Sequence, residues 1–218
     1  MNCVLALVGE VVNQYVPFAG IAIETALGRY IMQQQKKAAD RLLDEFRKGR
    51  IDRISWASED EFAGMLLRYL NAVRDSAGLE ALRLMAKVMV GQIQRDSIYA
   101  SEFTRYANML ASLSRDEILA ITYLHQARLA SKAPENTEGV WKEMMGTVVP
   151  THFPSEQYVH AVLTAASRSG LVITPHDLFA VGVYTTSPLM DEISQLADFQ
   201  DALHCESPEL RPSAPDPT

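Results

Sequence analysis

The sequence predicts a mainly α fold: an N-terminal helical hairpin and helical bundle, then a smaller helical module with a small two-stranded β-ribbon. Three observations carry this. Apolar residues recur at three- and four-residue spacing through most of the chain. Two Ser-x-x-Glu capping boxes, Ser58/Glu61 and Ser114/Glu117, each precede such a stretch. Between Gly170 and Pro188 the pattern changes to β-branched runs on either side of Pro175–Asp177, which reads as strand, turn and strand.

The elements follow in order. Leu5, Val8, Val12 and Tyr15 share a helix face, and Pro17 closes or kinks that short helix. A long helix is expected from Phe18 to Lys48, carrying Ile23, Leu27, Tyr30, Ile31, Leu42, Leu43 and Phe46, with Gly49 as its stop. These two make a hairpin, residues 3–48. Helices over 59–112 complete the N-terminal domain, 1–112. One carries Phe62, Leu66, Tyr69, Leu70 and Val73; after Gly78 another carries a stripe of Leu79, Leu82, Ala86, Met89 and Ile93. A shorter one carries Phe103, Tyr106, Ala107 and Leu110.

The second domain is read over 113–204. Ser114 and Glu117 open a helix through Ile118, Ile121, Leu124 and Leu129. The polar stretch from Ser131 to Thr137 leads to a short helix around Val140–Met145. Pro154 and Ser155 start a helix that buries Val159, Val162, Leu163 and Ala166 and ends at Gly170. Leu171–Thr174 and Phe179–Thr185 are the expected strands. Ser187 then caps a final helix with Pro188 at its first position, where a missing N–H costs nothing. Residues 205–218 hold four prolines and read as a disordered tail.

Helix, helix, helix, ribbon, helix over 114–204 resembles a winged-helix unit. The matching pieces are Ser155–Gly170 as third helix, Gly170-Leu171-Val172 entering the ribbon and Tyr184–Leu189 leaving it. A second resemblance spans 16–124. Val16-Pro17-Phe18-Ala19-Gly20, Ile23-Glu24, the Gln/Lys/Arg-rich continuation and Phe103–Leu113 before Ser114–Glu117 are similar in layout to bacterial helical proteins of the abortive-infection alpha type. That resemblance implies a setting in phage defence or prophage biology and transfers no catalytic residues.

Composition excludes several classes. At 218 residues folding hides roughly 70% of the unfolded surface, so neither disulfide nor structural metal is required. A net charge of −7 argues against a protein wrapped in nucleic acid. Two cysteines, Cys3 and Cys205, suit a reducing cytoplasm. The apolar opening lacks the cations of a signal peptide, and the uncharged run 11–23 is shorter than the ~20 residues that span a bilayer. The expected location is therefore cytoplasmic. Phosphate-binding glycine loops, CxxC pairs and HExxH are absent, so no cofactor, metal or catalytic residue is assigned. A metal site could in principle gather His152, His160 and Asp177, but ordinary surface and loop roles outweigh that reading, and His204-Cys205 is weaker still.

Charge is distributed unevenly. Residues 1–110 carry +1 and residues 111–218 carry −8. The cations concentrate in 29–53: Arg29, Lys36, Lys37, Arg41, Arg47, Lys48, Arg50 and Arg53. A solvated helix face explains such a run, and so does an anionic partner: acidic lipid, nucleic acid, or the acidic half of another copy. The candidate third-helix surface, Glu156, Gln157, His160, Thr164 and Arg168, has a single cation, too few for a productive DNA reader. The sequence thus points to a non-enzymatic interaction or regulatory protein, forming a homo-oligomer or contacting a protein partner. A membrane-active effector inserting hairpin 3–31, with Gly9, Gly20 and Gly28 along it, is one alternative. A DNA-binding transcriptional regulator is the other.

Overall fold

The computed structural model describes residues 26–49, 51, 59–75, 77–96, 99–174 and 183–204, with 26–32 and 202–204 placed by their backbone. Among them are nine α-helices and one small antiparallel sheet. The fold is mainly helical, as the periodicity predicts. The helices are α1 (Ala26–Lys48), α2 (Glu59–Arg74), α3 (Leu79–Gln94), α4 (Ala100–Ala111), α5 (Arg115–Ala130), α6 (Thr137–Val148), α7 (Glu156–Ala166), α8 (Pro188–Ser194) and α9 (Phe199–His204). Strand β1 (Val172–Ile173) pairs with β2 (Thr185–Thr186) in the register Val172 to Thr186 and Ile173 to Thr185. The first helix face (Leu5 to Tyr15), Pro17, Ser58, Arg50, Arg53, Asp177 and the tail 205–218 lie outside the described residues.

Helix α1 ends where Gly49 donates its N–H to the Glu45 carbonyl. Its inward face is Ala38, Ala39, Leu42, Glu45 and Phe46. Phe46 meets Phe62 of α2 edge-on, with ring centroids 5.8 Å apart, an arrangement worth about 0.5–1.5 kcal/mol beyond its area. The Tyr69 hydroxyl donates to the Ala38 carbonyl at 3.0 Å, so the buried phenol is satisfied.

Helix α3 differs from the single stripe expected of it. Leu79 is 39% exposed, while Ala81, Leu84, Met85, Val88 and Val90 are buried together with Leu82, Ala86 and Met89. The reason is position. α3 lies against α1, α2, α4, α5 and α9, so residues on almost every side have a neighbour. Helix α5 is the second central helix, contacting α3, α6, α7, β2 and α9. Its buried residues include Ile118, Ile121 and Leu124 as predicted, but Leu129, in the last turn, is 68% exposed.

The caps act locally and match the sequence. Ser114 Oγ accepts from Glu117 N, and the Glu117 carboxylate accepts from Ser114 N at 2.7 Å. Ser155 caps α7, Ser187 caps α8 with Pro188 next to it, and Gly170 takes the left-handed conformation, φ 75°, after a 3₁₀ turn at Ser167–Ser169. Helix α6 is longer than Val140–Met145 because Asn136 caps it, accepting from Gly139 N at 3.0 Å. The single final helix predicted after Ser187 is two helices. Asp198 accepts from Gln200 N at 2.8 Å and Asp201 N at 3.3 Å, starting α9 afresh. One contiguous set of buried residues runs from Ala38 to Phe199, through both halves of the chain.

Candidate functional site

The cationic face of α1 is divided by its own acids. Arg47 pairs with Asp44 at 3.1 Å, both well exposed, and Lys48 pairs with Glu45 at 2.9 Å. Arg41 is half-buried, and its Nη1 is enclosed without a hydrogen-bond partner. Lys36 and Lys37 are exposed and form no ion pair among the described residues. Arg29 lies on the first turns of α1, placed by backbone, and Arg50 and Arg53 fall outside the described residues. The predicted eight-cation cluster therefore reduces, where it is described, to two free lysines on consecutive positions.

The surface of α7 is bound to its own fold. Arg168 Nη2 donates to Glu117 Oε2 at 2.9 Å and to the Ser112 carbonyl at 2.5 Å, while Nη1 holds Glu117 Oε1 and the Ala165 carbonyl. Burial pushes the Glu117 carboxyl up, but the bonds from Arg168 and Ser114 outweigh it and hold it below the usual range. Glu156 accepts from the Trp141 indole N–H at 2.9 Å. His160 packs against the Trp141 ring, centroids 4.5 Å apart. Thr164 donates to the His160 carbonyl at 2.7 Å and meets the Tyr184 hydroxyl at 2.5 Å. Of the five candidate residues Gln157 is the one left exposed without a partner among the described residues. Arg168 keeps the exposure expected of it, and is at the same time a structural cross-tie.

The two histidines of that set each have a ring partner of their own, and Asp177 lies outside the described residues. His152 Nε2 bonds the Tyr123 hydroxyl at 2.7 Å, and His160 belongs to the Trp141 contact. No group of three or more His, Cys, Asp or Glu among the described residues could hold a metal ion. Nor is any helix among them long and apolar enough to cross a membrane.

Three polar clusters were not legible in the sequence. On α3, α4 and α8, Tyr106 bonds Glu192 and lies 3.1 Å from Glu102, which accepts from the buried Gln92 amide at 3.1 Å; Arg105 pairs with Glu192 at 3.0 Å. Between α5 and α8, Arg128 bonds Asp191, and His125 Nδ1 stands 3.7 Å from the same oxygen without a hydrogen bond. Burial holds the His125 ring below its ordinary pKa, with Arg128 adding to this and Asp191 opposing it. Between α1, α3 and α9, Lys87 contacts Glu45 at 3.5 Å and bonds Asp201, beside a cleft of about 260 Å³. One signal was available for the last: Glu45 falls three residues after Leu42 and just before Phe46, on the apolar face.

No protein-family model, curated protein or solved structure matches the chain.

Proposed function

We propose that this is a non-enzymatic interaction protein that self-associates through the outward face of α1 and the residues before it. The C-terminal part then serves as a winged-helix-like packing or docking module rather than a DNA reader. The observation that carries this reading is a contrast in cations. Lys36 and Lys37 are exposed and unpaired, whereas Arg168 is bound by Glu117 and two carbonyls. A positive patch without internal partners suits an acidic surface, and residues 111–218 carry −8. The abortive-infection resemblance adds phage defence or prophage biology as a setting, and the two cysteines favour the cytoplasm as the place.

Light scattering of the intact protein across salt tests this. Wild type should form an oligomer that weakens as salt rises, and Lys36→Glu with Lys37→Glu should shift it toward monomer. A protein monomeric at every salt concentration that co-sediments with phosphatidylserine vesicles would instead support the membrane-active reading. Salt-dependent binding of duplex DNA by the intact protein would support the regulator.

A further inference from the structure

The chain after α8 turns back across α3. Its backbone passes so close to Gly91 that a Cβ there would sit 2.4 Å from the Leu196 carbonyl oxygen. Arg95 fixes the turn, donating to the Gln195 carbonyl at 2.9 Å and to its side-chain oxygen at 3.3 Å. Ala197 and Phe199 are then buried, 3% and 4% exposed, and Asp201 reaches Lys87. The space between this segment and the helices is incompletely filled: the cleft of about 260 Å³ is lined by Glu45, Lys48, Lys87, Gln94, Asp198 and Asp201 among others.

Charges alternate along the junction in the order Lys48, Glu45, Lys87, Asp201. The inner two side chains are 7% and 13% exposed and face each other; the outer two are 57% and 48% exposed. Lifting α9 away would therefore remove a half-exposed carboxylate while Glu45 and Lys87 keep one another. No buried charge would be stranded, which is the usual obstacle to opening such a junction. A six-residue helix has too few internal bonds to hold itself, so its order depends on docking. The Lys87 hydrogen bond outweighs burial and holds the Asp201 carboxyl below its ordinary range, so the docked form favours the charged pair.

We propose that residues 195–204 are a releasable strap, docked in cis on α3 and α5 beside the cleft that α1 lines, in a groove that accepts, in trans, a peptide presenting an aromatic side chain and, two residues on, a carboxylate for Lys87. The strap shows the chemistry the groove takes: Phe199 is the apolar anchor and Asp201 the charge. Beyond the turn that Arg95 fixes, the segment docks through one anchor and one ion pair, and segments held so lightly open before the rest of a fold.

Hydrogen exchange and fluorescence anisotropy on the full chain test this, with a labelled peptide of residues 195–204 as the probe. Asp201→Lys should raise exchange of the 199–204 amides about tenfold relative to α3 and should bind the peptide about tenfold more tightly than wild type does. Lys87→Gln, which leaves Glu45 its Lys48 partner, should lose peptide binding and raise exchange of the 199–204 amides. Asp201→Asn, milder at the same half-exposed residue, should give the same ordering with a smaller effect. Strap amides that exchange with α3 in every variant, or equal peptide binding by wild type and Asp201→Lys, would overturn the proposal.

Discussion

The Arg168 guanidinium holds both carboxylate oxygens of Glu117, 51 residues earlier in the chain. Glu117 is already half of the capping box that starts α5, so one carboxylate serves a helix start and a tertiary tie together. Arg168 also takes the Ser112 carbonyl just past α4 and the Ala165 carbonyl in the last turn of α7. Three helix ends meet on one side chain. At the C-termini of α4 and α7 the peptide carbonyls carry partial negative charge and favour the cation, whereas at the N-terminus of α5 it is the Glu117 carboxylate that holds it.

Replacing Arg168 should therefore act on stability before it acts on any partner. Arg168→Ala leaves Glu117, 5% exposed, without its charged donor and should cost about 1–3 kcal/mol by urea unfolding. Arg168→Lys keeps the charge but loses the forked geometry, and should fall between. Arg168→Glu sets two carboxylates face to face and should be the least stable. Identical midpoints for wild type and Arg168→Ala would show that the tie contributes nothing.

The same carboxylate sets a pH dependence. Its folded-state pKa lies below the unfolded 4.5, so its contribution is fully present above about pH 4.5 and is lost as pH falls through the lower folded value. Glu117→Gln should be less stable than wild type at pH 7 and should lose less on acidification below 4.5. Parallel acid limbs for the two proteins would count against this.

What the sequence made legible was what neighbours in sequence decide. Ser114/Glu117, Ser155, Ser187 with Pro188 and Gly170 all act within four residues, and each was read correctly. Asp198 is a local cap too, but it follows α8 so closely that the apolar spacing runs on through it, and two helices read as one. Helix α3 buries more than the one side that periodicity reports because five elements surround it. Arg168 is exposed, as its position predicts, but its partner is set by tertiary approach, which no spacing encodes. The same holds for Lys87 and Asp201, 114 residues apart.

His125 gives a second pH effect of the same sign by a different route. It is buried and its folded-state pKa is lowered, so the unfolded chain binds the extra proton below pH 6.5. Stability should fall from about pH 6.5 down to the folded value and then level off. His125→Leu removes both the titration and the unpartnered Nδ1, and should lie within about 1 kcal/mol of wild type at pH 8. Between pH 6.5 and 5 it should lose less stability than wild type. An equal loss in both would place the titrating group elsewhere.

Two glycines in helices should respond oppositely to alanine. Gly146 on α6 has nothing within 4 Å of where a Cβ would stand, so Gly146→Ala should gain helix propensity and stabilise by about 0.5–1 kcal/mol. Gly91 on α3 meets backbone in that position: the Leu196 carbonyl oxygen at 2.4 Å and its Cα at 2.9 Å. Backbone cannot rotate aside as a side chain can, so Gly91→Ala must push the 195–197 turn away from α3. The helical gain is then outweighed by overpacking, typically a loss of about 1–3 kcal/mol. Hydrogen exchange should locate that loss in 195–204, with α2 and α4 unchanged. Thermal unfolding that ranks Gly91→Ala at or above wild type would mean the turn does not rest on α3 as described.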